Sequence, residues 1–202
     1  MSAELSVRLL AAFTAAYLLG AVPTSYLAGR LLRGIDLRRH GSGNLGATNV
    51  FRTLGVTPAM AVLTLDILKG FCASFWLPGW FGLEGSLVAP GMILGFPAIA
   101  GHVFSPFVRF RGGKGVATSA GAFLGLAPMP MLIAGAVFLV IVGITRMVSL
   151  GSITAAAVAA VSVFFFPVSG PVRIVAVLVA ALIILRHHSN IKRILKREEP
   201  RL

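Results

Sequence analysis

The sequence predicts an all-α integral membrane protein with seven transmembrane helices, its N-terminus outside and its C-terminus in the cytoplasm. Three observations predict this: composition, segmentation and charge asymmetry. Of 202 residues, 57% are apolar and 12% are charged, and mean hydropathy is +0.92. A soluble domain is about one-quarter charged, so this chain has too little charge to cover a soluble surface of its size. Seven apolar segments follow one another at 5–32, 57–81, 86–108, 115–127, 129–147, 150–167 and 171–187. Of the 18 lysines and arginines, fifteen lie in the first, third and fifth connections and the C-terminal tail. Arg8 and Arg173 lie on the other side, and Lys69 lies within a span. The positive-inside rule then sets the orientation. At about 20 residues per span the chain has no length left for a soluble domain, and 1–202 reads as a single polytopic domain.

The segments justify themselves in turn. Segment 5–32 is not a cleavable signal, because only Arg8 precedes its long apolar run and polar Thr24 and Ser25 stand where a cleavage site would lie. Pro23 is expected to kink it. Segment 57–81 carries Asp66 and Lys69 at i, i+3, read first as an internal ion pair and second as a substrate contact through Lys69. Segment 86–108 contains His102, a site residue or an interhelical bond. Segment 115–127 is short and rich in Gly and Ala, expected to cross incompletely or to pack between others. Segment 129–147 ends at Arg146, an inner-boundary cation. Segment 150–167 opens beside Ser149 and Ser152, whose hydroxyls bond backbone carbonyls or touch substrate, two readings of equal weight. Segment 171–187 runs into the basic tail, a topology anchor or lipid-surface contact. The outer connections, Pro78–Gly85, Pro128–Pro130 and Pro167–Pro171, are short and nearly uncharged.

Composition also excludes chemistry. The single cysteine, Cys72, rules out a disulfide scaffold and a cysteine-based zinc site. Three of the six acids (Glu4, Glu198, Glu199) sit at the chain ends. No carboxylate pair offers acid–base work and no cluster has metal-ligand spacing, so neither metal nor cofactor is expected. The net charge of +12 reads as topology alone, or as topology together with anionic substrates.

The first inner loop reads GSGNLGATNVFRTLG, Gly41 to Gly55. Gly41, Gly43 and Gly46 imitate a dinucleotide fingerprint, but that motif needs a preceding strand and a βαβ unit. What survives is physical. Glycines let backbone N–H groups converge on an anion, Ser42, Asn44, Thr48 and Asn49 are neutral donors, and Arg52 is a planar cation suited to phosphate. A glycine-rich interhelical turn is the plainer alternative. The second inner loop reads GHVFSPFVRFRGGKGVATSAG, Gly101 to Gly121. Lys114 is followed by Gly, unlike a P-loop, yet Gly112-Gly113-Lys114 running into a helix start is a good anion site. Arg109 and Arg111 alternate with Phe107 and Phe110, a pattern of snorkelling cations and interfacial aromatics. In the tail, His187 and Asn190 are i, i+3 and share one face of a continuing helix, with a helix-capping His as the alternative. His40 and His188 are expected to face solvent.

GSGNLGATNVFR at 41–52, GHVFSPFVRFRGGKGVAT at 101–118, VSLGSIT at 148–154 and RHHSN-I at 186–191 together resemble the membrane acyl-phosphate:glycerol-3-phosphate acyltransferases, the PlsY family of bacterial phospholipid synthesis. The resemblance covers nearly the whole chain. The tail departs from the family's N-I-x-R-L-x-x-G-x-E, with Ile194 for Leu and Arg197 where Gly is usual. The resemblance implies transfer of a fatty acyl group from acyl phosphate to the 1-hydroxyl of glycerol 3-phosphate, giving lysophosphatidic acid and phosphate. Acyl-CoA and acyl-carrier protein are not the implied donors. It places Ser42, Thr48, Asn49, Arg52, Lys114, Ser152, His187 and Asn190 at active-site positions, with Ser42, Lys114, His187 and Asn190 as the catalytic group. Gly41, Gly43, Asn44, Gly112 and Gly113 complete the expected substrate-binding set. No Ser–His–acid constellation is legible, so direct transfer without an acyl-enzyme is expected, the hydroxyl proton passing to the donor's phosphate or to His187. The expected setting is the bacterial cytoplasmic membrane with a cytoplasm-facing site. Lipid and the two phosphorylated substrates are the partners, a soluble acyl-phosphate-producing enzyme is a candidate at the basic inner face, and nucleic acid is not a partner. An organic-phosphate transporter is the rival class; the short outer loops leave it no matching anion site on the far side.

Overall fold

The computed structural model describes residues 2–85 and 90–202. Every regular element among them is helical: eleven α-helices, two 3-10 turns and one π turn. They are α1 (Ala3–Ala21), α2 (Thr24–Arg33), α3 (Ala47–Leu54), α4 (Val56–Phe71), α5 (Leu77–Trp80), α6 (Pro90–Val103), α7 (Val116–Leu126), α8 (Pro128–Thr145), α9 (Val148–Ser162), α10 (Gly170–Arg186) and α11 (His188–Leu195). The start of the third apolar segment, 86–89, lies outside the described residues. The chain divides into two compact units, 1–125 and 126–202.

In the first unit the expected single helix over 5–32 is two helices. Pro23 has no N–H to continue the ladder, so it does more than bend the chain: α1 ends at Ala21 and α2 restarts at Thr24. α2 is short and carries Arg30 and Arg33 in its last turn. The span from Val56 to Trp80 runs unbroken through a π turn at Cys72–Trp76. Helices approach closely where glycine removes a side chain. A Cβ at Gly20 would lie 2.0 Å from the Ala98 carbonyl oxygen, and one at Gly121 would lie 1.9 Å from that of Ile67. Small residues at such crossings give membrane helices their van der Waals contact.

In the second unit α9 packs on α8 and on α10. α8 buries only 11% of its apolar window, and Leu139 and Ile144 are 70% and 77% exposed. A helix that is apolar all round and this uncovered is suited to lipid. Among the described residues, four helical stretches are long and apolar enough to cross a membrane, five if the bent pair α10–α11 counts as one. α7 and α9, of 11 and 15 residues, fall short of that length.

Candidate functional site: two glycine turns and a closed tail

The first loop is folded by one side chain. Asn49, 1% exposed on α3, accepts the Ser42 N–H on Oδ1 at 2.9 Å. Its Nδ2 donates to the Leu37 and His40 carbonyls, each at 3.1 Å. Its amide is thus occupied by the loop itself. Gly41 has φ +58, and a Cβ there would meet Asn49 Oδ1 at 2.2 Å, so only glycine fits. Gly43 is also left-handed, whereas Gly46 is extended and caps α3. Ser42 and Arg52 stand exposed on this frame, with Asn44 and Thr48 half-buried. The Ser42 hydroxyl accepts the Asn44 N–H at 3.5 Å.

The second loop is folded by the backbone. Gly112 and Gly113 donate their N–H groups to the Val103 and His102 carbonyls at 3.1 and 3.2 Å. A Cβ on Gly113 would lie 2.2 Å from His102 Nε2 and 2.7 Å from the Leu45 carbonyl oxygen. The two loops therefore touch, Gly113 against Leu45, and Lys114 follows half-buried at that junction. Gly115 turns left-handed (φ +84) to enter α7.

Beneath them lies a buried ionic cluster. Lys69 Nζ reaches Asp66 Oδ1 at 2.8 Å, His102 Nδ1 at 2.8 Å and the Val22 carbonyl at 3.2 Å. All three ammonium protons thus have acceptors. Thr24 Oγ1 donates to Asp66 at 2.7 Å, and Ser105 Oγ to the Ala21 carbonyl at 2.6 Å. The break at Pro23 frees carbonyls at the end of α1, and Lys69 and Ser105 answer them. Both sequence readings, internal ion pair and interhelical histidine bond, are found in one cluster. His102 turns Nδ1 to Lys69 and lies with Nε2 beside Gly113.

In the second unit the helix does not continue through His187. It bends by 59° there, and α11 begins at His188. His187 and Asn190 are both buried, at 3% and 7% exposure. His187 Nδ1 donates to the Ile183 carbonyl at 2.7 Å. Asn190 Nδ2 donates to Glu199 Oε1 at 2.6 Å, and Arg193 Nε to Oε2 at 2.7 Å. Burial pushes the Glu199 carboxyl up, but Ser149, Asn190 and Arg193 outweigh it and hold it below the usual carboxylate range. Ser149 Oγ makes no well-formed hydrogen bond, yet lies close enough to favour that charge. Ser152 Oγ donates to the Val148 carbonyl at 2.9 Å, the backbone alternative of its two readings. Glu199 looks like a chain-end acid in the sequence, but the spacing of Asn190, Arg193 and Glu199 in the tail motif marks it. Arg197, where glycine is usual, adopts φ +61 and still makes the turn that returns Glu199. His40 and His188 are exposed, as expected.

These features define a class: an integral membrane helical protein with several apolar helices and cation-bearing glycine turns suited to phosphate. The sequence pattern of the glycerol-3-phosphate acyltransferases matches residues 10–197. A glycerol-3-phosphate acyltransferase of Trichlorobacter lovleyi is 49% identical over 181 residues, 89% of this chain and 90% of that protein. One of Geobacillus kaustophilus is 44% identical, covering 93% of this chain and 92% of its own. The crystal structure of PlsY, an integral membrane glycerol 3-phosphate acyltransferase, in its glycerol 3-phosphate form, superposes with a TM-score of 0.85. It is 38% identical, over 96% of this chain and 95% of that one. A lysophosphatidic acid form of PlsY gives 0.84. The chain belongs to the glycerol-3-phosphate acyltransferase family.

Proposed function

We propose that this protein transfers a fatty acyl group from acyl phosphate to the 1-hydroxyl of glycerol 3-phosphate. The hydroxyl oxygen bonds to the acyl carbon, the carbon–oxygen bond to phosphate breaks, and the proton leaves with the phosphate. The products are lysophosphatidic acid and inorganic phosphate. The observation that carries the reading is the contact of two glycine turns, Gly113 against Leu45, one bearing Ser42 and Arg52 and the other Lys114. Two phosphate-bearing substrates need such adjacent anion sites, and an acyl phosphate needs no further activation. Holding both in reacting geometry supplies about 7–11 kcal/mol. Arg52 and Lys114 clamp phosphate, and Ser42 and the turn N–H groups polarise the carbonyl. By family resemblance His187 and Asn190 belong to the catalytic group, and Thr48, Asn49 and Ser152 to the substrate-binding set.

Transfer is direct. Among the described residues of its own unit, Ser42 hydrogen-bonds with Asn44 and Asn49 and with neither base nor acid. The whole chain acts as one polytopic domain with seven spans, its basic side in the cytoplasm of a bacterial inner membrane, where a soluble supplier of acyl phosphate could dock. The test uses purified protein in lipid with acyl phosphate and glycerol 3-phosphate. Stoichiometric phosphate and lysophosphatidic acid are expected, with neither from acyl-CoA. Glycerol 3-phosphate flux without acyl transfer would favour the transporter, and a trapped acyl-Ser42 would end direct transfer.

A further inference from the structure

Beside the glycine turns, in the first unit, a cavity of about 570 Å³ opens between α2, the chain from Gly34 to His40 and the 3-10 turn Pro106–Val108. Its wall carries the guanidiniums of Arg30, Arg38, Arg39 and Arg109, and the imidazole of His40, against a single acid, Asp36. That acid is occupied. Arg38 grips it with Nε on Oδ1 at 3.0 Å and Nη2 on Oδ2 at 2.7 Å, and the Arg38 N–H adds a third contact at 3.0 Å. The Arg38 side chain foremost holds the Asp36 carboxyl down at about 2, so the pair stays ionic at any working pH. Arg30 lies farther from that acid and only adds to its field. Arg30 is fixed by the Tyr26 hydroxyl at 3.1 Å and lies 5.5 Å over that ring, which Arg38 also approaches, at 5.2 Å. Among the described residues, neither Arg39 nor Arg109 has an acidic partner.

Two further features separate this cavity from a merely basic surface. Arg109 and Phe110 are consecutive non-glycine residues with φ +57 and +58. L-residues disfavour that region, and such strain gathers where a side chain must be aimed. Here it accompanies an arginine in the cavity wall. The surroundings are apolar: Phe107 in the wall and nearby Phe110 are 60% and 62% exposed, and Leu31 on α2 is 81% exposed. Clustered cations with an apolar rim match a phosphate that carries hydrocarbon.

We propose that this cavity binds the phosphate of an anionic phospholipid, at a site separate from Arg52 and Lys114. Its size exceeds one phosphate ion, which favours a headgroup over the free anion.

The test uses the delipidated full-length protein in detergent. Dioleoyl phosphatidic acid, dioleoyl phosphatidylcholine and inorganic phosphate serve as probes, and native mass spectrometry reads the binding. Phosphatidic acid should bind in preference to phosphatidylcholine. Arg39→Gln/Arg109→Gln should weaken it about 10- to 30-fold. Both side chains are exposed, so melting temperature and acyl transfer should not move. Arg52→Ala should leave this binding intact. Inorganic phosphate bound at the same arginines without lipid preference would keep the phosphate chemistry and overturn the lipid source. Equal binding of the two lipids, indifference to the double substitution, or loss through Arg52→Ala alone would overturn the site.

Discussion

The two glycine loops look alike in sequence and are held by different means. Residues 41–55 close around one amide, Asn49, which answers Ser42, Leu37 and His40 within its own stretch of chain. Residues 101–118 close on backbone carbonyls, and their reference point, His102, is tied by Lys69 to Asp66 and to the end of α1. A loop clamped locally depends on one residue and little else. A loop anchored through buried charge inherits the stability of the helices beneath it, and shares their failure.

The largest effect should come from breaking that anchor. Lys69→Met leaves Asp66, 1% exposed, as a buried charge without its cation, a change that destabilises by about 3–5 kcal/mol. Thermal unfolding in detergent should register it, and adding Asp66→Leu should recover much of the loss. Wild-type melting in Lys69→Met would mean that the second loop is not held from below. Next comes Asn49→Ala, which strands buried partners at about 1–3 kcal/mol for each group left unmet. Its signature is a raised KM for glycerol 3-phosphate with a smaller melting shift than Lys69→Met. Asn49→Asp sharpens the point, because a carboxylate cannot donate to the Leu37 and His40 carbonyls. If Asn49→Asp kept the wild-type KM, the local clamp would be the wrong description.

Arg52→Ala and Lys114→Ala compare the loops at their cations. Each removes one charge-assisted contact of about 1.5–3 kcal/mol, or roughly 10- to 150-fold in kcat/KM. Unaltered kinetics in both would remove the phosphate clamps.

Apolar length made the long helices legible: α8 and α10 begin and end within two residues of their expected bounds. Pro23 was legible as an irregularity, but a kink and a break share one sequence signal; what separates them is whether other side chains answer the freed carbonyls, and Lys69 and Ser105, 47 and 84 residues away, do. Asn49 shows the limit inside a motif. An amide facing substrate and an amide facing its own loop are the same letter at the same spacing. The pairing of Lys69 with His102 spans 33 residues, beyond any periodicity. Glu199 is legible as an acid set into a basic tail at motif spacing, but its place near the end of the chain gives composition alone no reason to single it out.

The smallest effect concerns the second unit, where the clamp is neither an amide nor a buried lysine but a carboxylate. Glu199 holds Asn190 and Arg193 and has its pKa below the unfolded value of 4.5. A carboxyl with a depressed folded pKa contributes stability that is fully present above the unfolded value and lost as pH falls through the folded one. The tail closure beside His187 should therefore be intact at neutral pH and loosen below about pH 4.5. Glu199→Gln keeps one acceptor for Asn190 but gives up the charge that Arg193 meets. Because Arg193 is 39% exposed, the loss at neutral pH should be modest, about 1 kcal/mol or less. The informative measurement is the difference in melting temperature between wild type and Glu199→Gln from pH 7 down to about pH 3, through the range below the unfolded value in which the contribution is lost. It should shrink as the wild-type carboxylate takes up its proton. A difference that stayed constant over that range would mean that Glu199 acts by shape, and that charge closes neither the tail nor, by extension, the turn that presents His187.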